Sequence, residues 1–221
     1  MTTQIKRGIL NQRNQFSDPD LIAKYRALYA GGNKFRQELD RFFCPNPNEP
    51  LSLTQDRKKA AFYIGYVGPI VDFFASMLFS APMEIRSETQ ADDFYSEFQQ
   101  DADGSGMALA DLMRGAFTEA LTTGTAWLRG ELPPTDGQPA ANLADYQARG
   151  LGRATLALLP SENVLDWETD GSGQLLWVCL YSCAKPRPDP RQSRNLIVET
   201  WTILDAKEEN IYSFTYDPDK T

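Results

Sequence analysis

Apolar positions crowd most densely between Arg57 and Pro82, in the run RKKAAFYIGYVGPIVDFFASMLFSAP. From Ala60 to Phe79, Asp72 is the only residue with a formal charge. At helical spacing Phe62, Tyr66, Ile70, Phe73 and Met77 make one apolar stripe, and Tyr63, Val67, Phe74 and Leu78 make the stripe beside it. Gly65, Pro69, Asp72 and Ser76 fall on the opposite side, which is small or polar. A broad apolar arc with a narrow polar back predicts a helix sunk into a core over most of its girth. Phe62, Tyr66, Ile70, Phe73, Phe74, Met77 and Leu78 are therefore the expected core residues. Gly68-Pro69 is expected to break the run, because proline removes a backbone donor and clashes with the preceding turn. The length would suit a membrane span. A carboxylate near mid-bilayer costs about 2.5–3.5 kcal/mol, however, and the reading is a core helix with no membrane.

The rest of the chain divides by period. Residues 1–16 are polar and read as a flexible arm. Ser17 and Asp18 offer a cap for a helix opening at Pro19, with Leu21, Ile22, Tyr25, Leu28 and Tyr29 on one face and Gly31-Gly32 as its stop. A short helix is expected from Asn33 to Phe43, and Ser52 with Gln55 has the spacing of a capping box for the central helix. Leu109, Leu112, Met113, Ala116, Phe117, Ala120 and Leu121 repeat at threes and fours up to Gly124, the cleanest amphipathic helix in the chain. From Thr125 onward the period is strand-like: TAWLRGEL, RATLALLP, QLLWVCLYSC, NLIVETWTILD and NIYSFTYD read as strands joined by turns such as Asp170-Gly171-Ser172-Gly173. In QLLWVCLYSC both faces are nearly all apolar, which predicts a central strand covered on both sides. Helices first and antiparallel strands afterwards define an α+β fold. The expected organisation is a helical part over 17–124 and a strand-rich part of the same domain over 125–221.

Composition then narrows the chemistry. A chain of 221 residues with 42% hydrophobic content can bury a real core. The net charge of −8 predicts weak non-specific affinity for nucleic acid. Cys44, Cys179 and Cys183 are odd in number, which speaks against a disulfide framework and for a reducing compartment. The start of the chain has no apolar segment of signal-peptide length. The chain contains no histidine, so Ser-His-Asp and Cys-His nucleophiles and the commonest zinc ligand are excluded. No GxxxxGK[ST], GxGxxG or CxxC motif is present. The expectation is therefore a protein that is not an enzyme and needs no cofactor.

Three local features remain as candidates. Glu88, Asp92, Asp93, Glu97, Asp101 and Asp103 form an acidic stretch without lysine or arginine, either a solvated helix face or a surface for a basic partner. Within it DADGSG imitates the first half of a calcium loop, with Asp101, Asp103 and Ser105 at oxygen-ligand positions and Gly106 at the turn. Leu112 stands where a bidentate glutamate should close the shell, so these are weak metal candidates. Lys185, Arg187, Arg191 and Arg194, stiffened by prolines 186, 188 and 190, form the concentrated basic patch. It is a solvated hairpin tip or a contact to DNA or to a neighbouring subunit. A calcium-binding module and a carboxylate-dependent hydrolase, the latter needing two acids in one cleft, stand as alternative functions.

The runs RALYAGGNKFR, RKKAAFYIGYVGPIVDFFASMLFSAPMEI, TGTAWLRGELP and NVLDWETDGSGQLLWV, in that order, resemble the beginning of portal proteins of siphovirus-type tailed bacteriophages. The resemblance extends over roughly Tyr25 to Tyr216, nearly the whole chain. It implies a structural subunit of a homo-oligomeric ring, commonly a dodecamer, at the portal vertex of the virion and in the host cytoplasm during assembly. Such a ring passes double-stranded DNA non-specifically in packaging and ejection. It docks the terminase large subunit and head-completion or adaptor proteins, and sits against major capsid or scaffolding protein. Portal chains of this kind continue into stem helices and a clip. The resemblance therefore places these residues in the N-terminal wing portion, truncated before stem and clip, either as a fragment or as a shortened relative.

Overall fold

A computed structural model describes residues 7–83, 85, 92–132, 140–148, 153–186 and 196–216. The fold is α+β, and the chain forms two compact units: Asp20–Pro160, and Met1–Pro19 together with Ser161–Thr221. This division differs from the expected one at both ends. The first two strands belong with the helices, and the N-terminal segment belongs with the sheet.

In the helical unit, α2 (Pro19–Ala30) follows α1 (Arg7–Leu10) of the other unit and opens at the expected proline. It ends where Gly31 and Gly32 take positive φ of 60° and 51°. The expected helix over 33–43 is broken at Glu38 into α3 (Gly32–Gln37) and α4 (Leu39–Phe42). Phe35 is buried there, with its ring 4.3 Å from that of Tyr63 and 4.8 Å from that of Phe42. Helix α5 (Leu51–Ala60) starts directly after Pro50 and without a side-chain cap, so Ser52 lies inside the first turn and not at its start.

The central apolar run is not one helix. Residues 61–66 are irregular, and α6 (Val67–Leu78) begins only two residues before Pro69. Proline is tolerated in that first turn because an amide there has no intrahelical partner to lose. After α7 (Asp92–Gln100) comes α8 (Leu109–Thr123), closed by Gly124 at φ 88°, whose N–H donates to the Ala120 carbonyl at 2.9 Å. Strands β1 (Trp127–Glu131) and β2 (Thr155–Leu159) pair antiparallel, and α9 (Leu143–Ala148) lies between them in sequence. Ala102, Leu109 and Leu112 form the buried centre, packed by Phe98, Met113 and Leu156.

In the sheet unit, β3 (Val164–Thr169), β4 (Leu175–Ala184), β5 (Ile197–Asp205) and β6 (Glu209–Tyr216) form an antiparallel meander in sequence order. The long apolar strand β4 is interior in the sheet, as expected, but it is covered only at its middle: Val178 and Cys179 are buried, while Leu175, Leu176 and residues 182–184 are exposed. Trp201 on β5 is fully buried among Leu165, Cys179 and Leu10. The tight turns are closed by aspartates: Asp170 Oδ1 accepts the Ser172 and Gln174 amides, and Asp205 Oδ1 accepts those of Lys207 and Glu208. Burial pushes the Cys179 thiol up to about 11, with Asp166 adding to the effect, so it packs as a neutral hydrophobe.

The described part of the expected arm is not free. Leu10 is buried, the Asn14 amide donates to the Leu165 carbonyl at 2.9 Å, and Ser17 Oγ donates to the Val164 carbonyl at 2.8 Å. Ser17 therefore ties the chain to β3. The polarity that makes residues 7–17 look solvated supplies donors for that strand.

The tightest packing in the helical unit is at Gly68. A Cβ added there would stand 2.6 Å from the Tyr29 carbonyl oxygen, at the end of α2. Because that contact is with backbone, relief requires moving a helix. Gly68→Ala is expected to destabilise the protein by about 1–3 kcal/mol, the usual range for overpacking. The measurement is the urea midpoint at unchanged m-value.

Candidate functional site

Helix α6 holds the feature that separates this molecule from its sequence pattern. Gly68, Val71 and Ala75 are its buried residues. Ile70, Phe73, Phe74, Met77 and Leu78 are each between 54% and 60% exposed, and on the preceding segment Phe62 is 80% and Tyr66 66% exposed. The expected core assignment of these seven residues is thus overturned for the single chain: the helix is turned the other way. The narrow stripe of Gly68, Val71 and Ala75 is what meets the rest of the unit, while Gly65, Pro69, Asp72 and Ser76 beside it are exposed.

The reason is visible in what that side touches. Gly68 allows close approach of the Tyr29 backbone, which a Phe or Met stripe would prevent, and Ala75 is buried on the same side. The flanking polar residues are engaged by the same neighbours. Tyr29 Oη on α2 donates to Asp72 Oδ1 at 2.7 Å, and Arg114 Nη2 on α8 donates to Ser76 Oγ at 3.0 Å. Asp72, the lone charge of the apolar run, is therefore a tether. In return its hydrogen bond holds the Tyr29 hydroxyl above the ordinary tyrosine range, with burial adding to the shift, so the phenol remains a donor. In the extended segment the side chains alternate: Tyr63 turns inward and donates to the Leu28 carbonyl at 3.0 Å, while Phe62 and Ile64 point to solvent.

The same three helices line an open groove of about 360 Å³ that includes Arg26, Tyr29, Asp72, Asp111, Arg114 and Glu119. Three carboxylates thus share one cleft, a juxtaposition that the alternative hydrolase reading calls for. Two of them are committed to donors. Arg26 grips Glu119 in a bidentate pair at 2.7 and 3.0 Å, and Asp72 accepts from Tyr29. A fork-to-fork pair orients both helices, and α2 is thereby fixed to α8 across 93 residues of sequence. Such separations hide these partners from any local motif.

The calcium-like loop is a self-satisfied turn. Asp103 Oδ1 accepts the amides of Ser105 at 2.8 Å and Met107 at 3.0 Å, Asp101 Oδ1 accepts that of Gly106 at 2.8 Å, and Arg153 pairs with the other Asp101 oxygen. Oxygens that would face a cation face backbone N–H groups and a guanidinium. No cluster of three or more carboxylate or thiol ligands suited to a metal occurs among the described residues. Lys185 is exposed just past the end of β4, whereas Arg187, Arg191 and Arg194 lie outside the described residues, as does Glu88 of the acidic stretch. Among the described residues no helix is long and apolar enough to cross a membrane.

A scan against models of protein families finds no match, and no curated protein matches the chain.

The turn carries a pH signature. The amides of Met107 and then Ser105 hold the Asp103 carboxyl below its ordinary value of 3.8. A depressed carboxyl contributes stability that is fully present above the unfolded value and is lost as pH falls through the folded one. Asp103→Asn is therefore expected to flatten the acid limb of stability below about pH 4. Thermal melts across that range are the check, and melts with and without calcium should coincide.

Proposed function

We propose that this chain is a structural, non-catalytic subunit of a phage portal ring, from its N-terminal wing portion. The observation that carries the reading is the outward apolar face of α6. A single copy leaves eight large apolar side chains between Phe62 and Leu78 more than half exposed. Contiguous apolar surface on this scale marks an assembly surface. A catalytic protein would be expected to turn its most apolar helix inward and its polar groups into a cleft. Here two of the cleft's three carboxylates, Asp72 and Glu119, are engaged in joining the helices that line it.

The charge supports the same reading. Each phosphate held by a lysine or arginine adds salt-dependent affinity that must be broken for DNA to advance. A subunit of net charge −8 presents a wall on which a duplex slides with little retention. Lys185, Arg187, Arg191 and Arg194 are the proposed exception, a basic loop for DNA phosphate or a neighbouring acidic surface. In this reading the ring sits at the capsid vertex of the virion. Its partners are the terminase large subunit, head-completion proteins and capsid or scaffolding protein.

The test is the solution mass of the purified chain by light scattering after size exclusion, with negative-stain images of the peak. Rings are expected. A 24.8 kDa monomer at every concentration, or closed dimers, would overturn the ring reading.

A further inference from the structure

We infer that the α6 face is covered by a second copy of this chain, and that Ile70, Phe73, Phe74 and Met77, with Phe62 and Tyr66 beside them, form the subunit contact. The inference rests on the ring reading for its geometry, and three observations carry it at the level of residues.

The first is area. Aromatic side chains present roughly 150–250 Å² each, and this patch holds four of them together with Ile70, Met77 and Leu78, all more than half exposed. The available surface is on the order of 800 Å², which matches one partner's share of a standard stable interface. It exceeds the few hundred Å² that monomers ordinarily leave exposed.

The second is charge. The exposed face carries no formal charge between Ala61 and Phe79, because Asp72 is turned to Tyr29. A partner covering it need not strip water from an ion, and the patch has the character of an obligate contact. A membrane-surface helix instead sets basic residues on its polar side. Here the polar side carries Asp72 and Ser76 and is engaged by α2 and α8. Arg114, the basic side chain that touches α6, donates to Ser76, and the basic residues just upstream on α5, Arg57, Lys58 and Lys59, are paired with Glu49, Asp40 and Asp56.

The third is fixity. Two polar links and the Gly68 contact hold α6 by its back, and the Arg26–Glu119 pair joins the two helices that supply those links, so rolling the apolar arc inward would break all of these contacts. A face locked outward in the free subunit is pre-organised for docking, and little ordering entropy opposes it.

The experiment compares the wild-type chain with Phe73→Asp and Met77→Asp, singly and together, by light scattering and circular dichroism. Both side chains are exposed, so the variants should keep the helical signal and melting cooperativity while association weakens by at least about tenfold, as at a central contact residue. In parallel, Met77→Cys on a Cys44→Ser, Cys183→Ser background reports thiol reactivity, which should be low in the assembled protein and high after dissociation. Rings formed equally by wild type and the aspartate variants, with the introduced thiol reactive throughout, would overturn the inferred contact and leave the ring reading standing. Wild-type dimers that the same substitutions dissociate would support the contact and overturn the ring. A wild type that stays monomeric would overturn both.

Discussion

The close approach of α6 to the end of α2 is the constraint on which the helical unit depends. Gly68 is the residue that permits it, because any side chain would press into the Tyr29 carbonyl. With that contact made, the direction of every other residue on α6 follows from the 100° step of the helix. Val71 and Ala75 go inward with Gly68, Asp72 and Ser76 reach Tyr29 and Arg114 at the rim, and Phe73 and Met77 face away. The helix is thus oriented by its smallest residues, and its largest ones take what is left.

Polar links reinforce this orientation. Arg26–Glu119 joins α2 to α8, Tyr29–Asp72 joins α2 to α6, and Arg114–Ser76 joins α8 to α6. Each is partly or fully exposed, so each is worth little alone in water. Together they close a triangle around one groove, and rotation of any one helix must break two of the links. The groove is where these three helices are fastened to one another.

The sheet unit rests on a different interaction, the burial of Trp201 between Leu165, Cys179 and Leu10. Leu10 comes from the beginning of the chain and the others from beyond residue 160, so this core closes only when the two ends meet. The aspartate turns at Asp170 and Asp205 need no such closure, since each carboxylate accepts amides within four residues of itself.

What the sequence determined on its own is what local chemistry decides. The proline start of α2, the glycine ends of α2 and α8, the strand character of β1, β2 and β4 to β6, and the tight turn at Asp170 depend on backbone conformations and patterns within a few residues. They are legible one segment at a time, whereas β3 is not among the expected strands. The calcium-like loop was legible too, including the missing glutamate position at Leu112. Tertiary structure alone decided which side of the apolar helix is inside, that Ser17 serves β3, and that Asp72 and Glu119 are tethers. Hydrophobic periodicity states that a face must leave water, but not whether the covering surface lies in the same chain or in another. That choice depends on where backbones can come closest, which at α6 is over Gly68, on the side away from its largest apolar residues.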